Sequence, residues 1–225
     1  AMTLLLFWSV IIPLYFLPDV KQYGPPTPTG HIPSYQDNGM KHVVIFTSMF
    51  LLGAYKGLYS LSILFDEHMA MLAILNIGAM LFCLYLYYKG NSHPSTRDVT
   101  FSDRGFLYDF FTGIELYPNV LGVDVKKIVN CRFSMTFWMV YGISATAASY
   151  SLHGELDYGL LACSALTYVY LFKFFWWEIG YMRSIDIIED NCGFMETWGC
   201  LVFVPSMYTN HMTCAVKVPS GLSPS

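Results

Sequence analysis

The chain is predicted to be an all-α, polytopic transmembrane helix bundle of about six spans, forming one domain over residues 1–225. Three observations predict it. Hydrophobic residues make up 55% of the chain and charged residues only 12%, against about 25% charged in soluble domains. The mean hydropathy is +0.44. The apolar residues collect in runs near the roughly 20 residues that cross a bilayer, separated by short polar connections. The net charge of −4 is spread over many loops, and no basic run interleaved with aromatics suggests nucleic acid.

The first apolar run, Ala1–Leu17, is slightly short for a span. It lacks a basic leader region and a small-residue cleavage site, so it is read as the tail of a span that begins upstream. Residues 18–40 form a Pro/Gly-rich loop, with five of the chain's eleven prolines, because proline removes a donor and restricts the residue before it. Spans are predicted at Lys41–Phe65 and Met69–Tyr88, joined by the turn Asp66–His68. Lys56 then falls mid-span, where it must snorkel or pair. Glu67 and His68 lack further ligands at helical spacing, so no metal is expected.

Residues 89–134 carry six basic side chains, Lys89, Arg97, Arg104, Lys126, Lys127 and Arg132. By the positive-inside rule they form a basic cytosolic loop, with the acidic turns at 66–68 and 153–157 on the lumenal side. Phe106–Leu116 is apolar enough to lie in the interface. Further spans are predicted at Met135–Leu152 and Tyr158–Trp177. The small residues Gly142, Ser144, Ala145, Ala147, Ala148 and Ser149 suit a close packing face. Trp138, Trp176 and Trp177 suit an aromatic belt. The sixth segment, Met195–Val216, is expected to bend at Pro205, as helices do where backbone lines a cavity. The six cysteines, none in a C-x-x-C pair, read as free thiols.

The stretch Phe174–Thr209 concentrates chemistry. An aromatic run ends at Trp177, the carboxylate Glu178 follows, and Arg183, Asp186, Glu189 and Asp190 come next before hydrophobicity resumes. Ionisable groups at a span end are costly unless paired or hydrated, which makes them candidates for function; an acidic loop between two spans is the plain alternative. No Gly-rich phosphate loop or Ser/His/Asp arrangement is visible.

Within this stretch the spacing W-x-E-x-x-Y-x-x-x-I-D-I, from Trp176 to Ile187, is followed by D-x-x-G-F (Asp190–Phe194) and P-x-x-Y-T (Pro205–Thr209). It resembles the membrane sterol reductase family. A second block, Y-D-F-F-T-G-I-E-L-Y-P-N at Tyr108–Asn119, resembles that family's Y-D-x-x-x-G-I-E-x-N-P-R signature. The proline-rich loop, the paired tryptophans and S-I-D-I look most like the 7-dehydrocholesterol reductase branch. The chain departs from the pattern at Asn119, where the family has Arg, at Glu189, where it has His, and at Arg132–Ser134, where it has Arg-Pro-Gly. A guanidinium suited to an anion and a neutral-pH proton carrier are thereby lost.

The resemblance implies a multi-pass protein of the endoplasmic reticulum membrane that reduces a ring C=C bond of a sterol with NADPH in sterol biosynthesis. An unpolarised alkene accepts hydride only after protonation, so an acid kept protonated among apolar groups is needed. Glu178, Asp186, Asp190 and Tyr208 are the candidate catalytic groups, with Glu178 first; a structural role for Glu178 as partner of Arg183 or Lys173 is the equal alternative. Glu115, Trp177, Phe194 and Trp198 are the candidate sterol-binding residues. Glu115, Glu178, Asp186 and Asp190 are expected round one apolar cavity at the cytosolic rim. The family's cofactor contacts lie mostly in a C-terminal portion expected beyond residue 225, so a chain of these residues alone, whether a fragment or a short divergent relative, is expected to have little reductase activity. Two alternatives stand beside this reading: a catalytically inactive sterol-binding or scaffold membrane protein of the same fold, and a transporter-like bundle.

Overall fold

A computed structural model describes residues 2–220. The chain forms α1 (Met2–Tyr15), α2 (Gly39–Tyr55), α3 (Ile63–Asp66), α4 (His68–Ser92), α5 (Phe106–Thr112), α6 (Met135–His153), α7 (Tyr158–Trp176), α8 (Glu178–Tyr181), α9 (Ile185–Ile188), α10 (Phe194–Trp198) and α11 (Asn210–Lys217). Two π-helical segments, Lys127–Ser134 and Gly199–Tyr208, lead into α6 and α11 and pack on each other. Among the described residues, α4, with 25 residues, and α7, with 19, are long and apolar enough to cross a membrane; α1 and α2 are shorter apolar helices.

The second predicted span is broken. Helix α2 buries His42, Val43, Phe46, Phe50 and Gly53 at helical spacing. It stops at Tyr55, and Lys56 is its exposed C-cap rather than a mid-span cation. Gly57 takes φ +72°, a left-handed conformation that suits glycine. The chain then doubles back, with Leu58 N–H donating to Gly53 O (3.0 Å) and Tyr59 Oη to Phe50 O (2.8 Å). Apolarity alone concealed this reversal.

Helix α4 buries Met71, Leu75, Ala79, Cys83, Leu86 and Gly90 every three or four residues, and its other faces are apolar and open. Helices α6 and α7 pack closely where the small residues predict it. Ser164 Oγ donates to Gly142 O (3.0 Å) and shares a 3.0 Å bond with Thr146 Oγ1. Asp157 caps α7 by accepting from Gly159 N (2.9 Å) and Leu160 N (3.1 Å). Pro205 lies inside the second π-helical segment; its carbonyl accepts from Thr209 Oγ1 (2.6 Å) and lies 2.9 Å from His68 Nε2 on α4. The break expected there is therefore stapled.

The loops carry small antiparallel ribbons. In the Pro/Gly-rich loop, β1 (Lys21–Tyr23) pairs with β2 (Ser34–Gln36), Gln22 opposite Tyr35. Further on, β3 (Asn119–Val120) pairs with β4 (Val123–Asp124) in a hairpin. The predicted basic loop is not a solvated loop at its C-terminal end. Lys126, Lys127 and Arg132 are fully buried, and Arg97 and Arg104 are the exposed cations of 89–134. The segment 127–134 is the wound beginning of the helix that continues as α6, so its cations point into protein. All six cysteines are free.

Candidate functional site

The two blocks singled out in the sequence meet backbone to backbone. A Cβ on Gly113 would collide with the Gly193 amide nitrogen and the Cys192 backbone, and one on Gly193 would collide with the Gly113 nitrogen and Thr112. Gly113 also has φ +96°. Cys192 N–H donates to Glu115 O (2.9 Å) and Asn191 Nδ2 to Gly113 O (3.1 Å). Two glycines permit this approach, and the bonds hold α5 to α10.

Below this junction lies a buried ionic frame. Arg132 Nη2 donates 2.7 Å to Glu178 Oε2 and 2.5 Å to Asn38 Oδ1. Asn38 Nδ2 in turn donates to Tyr15 O (3.0 Å) and Leu17 O (2.7 Å). Lys127 Nζ lies 3.5 Å from the same Glu178 oxygen and donates to Gln36 O (2.5 Å). Arg132 and Glu178 are both 0% exposed, so removing Glu178 would strand two cations in protein, while removing Arg132 would leave Glu178 to Lys127 alone. The expected partners of Glu178 are not those found. Arg183 is exposed and donates to Tyr23 O (3.1 Å) instead. The true partner lies 46 residues away and is supplied by the wound segment before α6.

Lys126 donates to Ile187 O (2.7 Å) and to Asp190 O, completing the carbonyls at the end of α9. Burial holds its ammonium below the usual lysine range. Burial raises the Asp124 carboxyl, although it accepts from Lys127 N (2.8 Å). The Tyr117 phenol is pushed up to about 12, chiefly by burial.

A second polar cluster joins the two π-helical segments. Asn130 Nδ2 donates to Tyr181 Oη (2.5 Å) and to Glu196 Oε1 (3.3 Å). Cys200 Sγ, one turn on, reaches the same Glu196 oxygen at 3.7 Å. Glu196 is half-buried and has no ion pair among the described residues. Its hydrogen-bond partners are an amide and a thiol, both neutral. Sequence reasoning passed over Glu196, Asn130 and Tyr181. The signal available was a single carboxylate inside the apolar run from Phe194 to Tyr208.

The four carboxylates expected round one cavity are not gathered there. Glu178 belongs to the ionic frame. Glu115 accepts from Lys89 Nζ (2.7 and 3.0 Å) and Ser95 N (2.6 Å). Asp186 and Asp190 are exposed, because α9 is a single surface turn. Opposite charges and backbone donors met each buried carboxylate separately, and short loops left the others in water. Tyr208 is half-exposed against the Trp138 ring (5.0 Å between centroids). Phe194 and Trp198 do come together, stacked at 5.3 Å, with Phe110 of α5 at 5.8 Å from Phe194. Trp198 Nε1 donates to Asn76 Oδ1 (3.0 Å). Trp177 is exposed and stands apart from that pair, over Gly180. An apolar groove of about 650 Å³ opens elsewhere, between α1 and α4, and none of these carboxylates lines it.

Residues 1–225 match the ergosterol biosynthesis ERG4/ERG24 family from end to end. The chain belongs to that family. It is 36% identical to the 7-dehydrocholesterol reductase of Arabidopsis thaliana over 92% of this chain and 48% of the relative. It is 29% identical to the 7-dehydrocholesterol reductase of Xenopus laevis over 99% of this chain and 50% of the relative. The Delta(14)-sterol reductase of Methylotuvimicrobium alcaliphilum is 30% identical over 83% of this chain and 43% of the relative. The chain spans about half the length of the curated relatives it matches. Family membership leaves the departures in place. Asn119, where an arginine was expected, accepts from Gly122 N (2.9 Å) through Oδ1 and so closes the β3–β4 turn. Glu189 is exposed.

Proposed function

We propose that this chain is part of a membrane sterol reductase of the endoplasmic reticulum that saturates a ring C=C bond, most like 7-dehydrocholesterol reductase, with NADPH as reductant. The observation that carries the reading is the whole-length family match, together with the meeting of its two recognisable blocks at Gly113 and Gly193. The nucleotide would supply hydride. Its phosphates need free cations, and Lys126, Lys127 and Arg132 are buried and already bonded to protein acceptors, so these three do not fit that role.

The part we assign to this chain is proton handling and framing. Glu178 and Glu115 are read as structural anions, each closed by a cation. Glu196, with neutral hydrogen-bond partners, is the better candidate acid, and the exposed Asp186 and Asp190 lie on the neighbouring 183–190 block. On the opposite side of α10 from Glu196, Phe194 and Trp198 offer a flat aromatic face. Asn119 and Glu189, in place of an arginine and a histidine, favour the second reading, an inactive sterol-binding protein of the same fold.

The test is expression of the full coding sequence containing these residues in yeast lacking its own sterol reductases. NADPH-dependent loss of the ring double bond of 7-dehydrocholesterol in the membranes supports the reductase. Sterol binding without turnover supports the second reading.

A further inference from the structure

Asn130 sits on the first π-helical segment, and its backbone is held there twice. Its carbonyl accepts from Met135 N–H, the wider π-type bond, and from Ser134 Oγ (2.6 Å). Windings of this kind recur at functional sites. From this fixed point the side chain, 6% exposed, spends its amide protons inside the molecule, on Tyr181 Oη (2.5 Å) and on Glu196 Oε1 (3.3 Å). Its own Oδ1 is enclosed without a hydrogen-bond partner among the described residues. An unpaired buried carbonyl is costly and calls for a reason. Turned over, the amide would set its oxygen against Glu196 Oε1 and leave that carboxylate only the Cys200 thiol, so the unpaired oxygen is the lesser loss.

These bonds make the two oxygens of Glu196 unequal. Oε1 accepts from the Asn130 amide and from Cys200 Sγ (3.7 Å). Oε2 has no hydrogen bond among the described residues, yet it is not sealed in protein: Glu196 is half-buried, and that oxygen is reached by solvent. A carboxyl carries its proton on the oxygen that is not already occupied as an acceptor. The acid form of Glu196 is therefore protonated on Oε2, facing outward, with Oε1 as its carbonyl. Tyr181 is turned in the same sense, because Oη accepts from the amide and its own proton points elsewhere.

We propose, on the reading of Glu196 as the acid, that Asn130 is a positioning residue for proton transfer: its amide fixes the Glu196 proton on Oε2 and steadies the carboxylate that remains once the proton has left. In that step the π electron pair of the alkene forms a C–H bond with the proton, the Oε2–H bond breaks, and its electrons stay on Glu196. The neighbouring carbon, left cationic, takes hydride from the reduced nucleotide, and the carboxylate regains a proton from solvent through the open Oε2. An N–H bond to a carboxylate is stronger than one to a carboxyl, so the Asn130 amide favours the transfer.

Two readouts test this on the protein encoded by the full coding sequence, purified in detergent. Without nucleotide and at acid pH, the infrared carbonyl band of protonated Glu196 is identified by its loss in Glu196→Gln. It is expected to move to higher wavenumber in Asn130→Leu, because Oε1 has lost its donor; an unmoved band overturns the proposal. With 7-dehydrocholesterol and NADPH, Asn130→Leu is expected to lower kcat about tenfold, equivalent to about 1.4 kcal/mol, at unchanged KM. In a Glu196→Gln background the same substitution should cost nothing further, since it acts through that carboxyl. Should Asn130→Leu fail to fold, Tyr181→Phe, which removes the acceptor of the amide's other proton, is expected to lower kcat about threefold with the same dependence on Glu196. A loss confined to KM, or one that adds to that of Glu196→Gln, overturns the proposal. Turnover lost in Glu196→Gln and kept in Asn130→Leu sinks this inference alone. Turnover kept in Glu196→Gln, or absent in the wild type, sinks the choice of Glu196 as acid and the role of Asn130 with it.

Discussion

Gly113 and Gly193 lie backbone against backbone, 80 positions apart in the chain, with no room for a Cβ on either. Their contact seats α5 on α10 and brings the two family-like blocks into one surface. Around it, the hydrogen bond from Cys192 N to Glu115 O continues the join in β-like fashion.

Gly113→Ala meets both a positive φ and the Gly193 backbone, so it is expected to destabilise by more than about 1 kcal/mol. Gly193→Ala should do the same, whereas Gly78→Ala, in open space, should be nearly silent. Thermal unfolding in detergent, followed by fluorescence-detected size exclusion, distinguishes the three. Equal midpoints for Gly113→Ala and Gly78→Ala would contradict the close approach.

Glu178→Met leaves Arg132 and Lys127 buried without their carboxylate, and a loss of about 3–5 kcal/mol is expected. Replacing both partners, Arg132→Met with Glu178→Met, leaves one cation, Lys127, without the carboxylate where Glu178→Met alone leaves two. The double variant should be more stable than Glu178→Met. A double-mutant cycle on unfolding free energy reads this out, and additive losses would show that the two groups do not act as a pair.

Glu196 holds no ion pair among the described residues, so Glu196→Gln should change stability by less than about 1.5 kcal/mol, the scale of one hydrogen bond. If it is the acid, sterol reduction should fall about 10²-fold or more, while sterol binding persists. Glu196→Asp should recover part of the rate. Unchanged turnover in Glu196→Gln returns the role to another carboxyl.

Asp157 has its carboxyl lowered from the ordinary 3.8 to about 2, first by the Ser220 hydroxyl and then by the Ser220, Leu160 and Gly159 amides. A depressed folded value means that the charged cap stabilises at pH above 3.8 and that its contribution fades as pH falls towards 2. Asp157→Ala should cost about 1 kcal/mol at neutral pH through loss of the α7 cap. The difference from wild type should shrink across pH 4 to 2. A pH series of unfolding midpoints checks it, and a gap that widens on acidification would reverse the sign.

Much of the architecture was readable from the amino-acid order. Apolar run lengths locate α4 and α7, and proline and glycine density marks residues 18–40 as non-helical, because spanning length and missing backbone donors are local properties. The small residues of α6 announce close packing for the same reason: a missing side chain permits approach wherever the partner comes from. The two family-like blocks were legible through their resemblance to the sterol reductase motifs.

Charge partners were not. Glu178 has Arg183 and Lys173 nearer in sequence, yet it binds Arg132, because the segment 127–134 winds inward before α6 and buries three cations that look like a solvated basic loop. Lys56 looks embedded until Gly57 turns the chain back. The four carboxylates disperse, and Glu196 gains neutral partners, only once the π-helical segments cross. Periodicity and composition act over a few residues, whereas the pairing of a buried charge is settled by whichever opposite charge or dipole the packed helices bring within about 4 Å, and that is a property of the assembled fold.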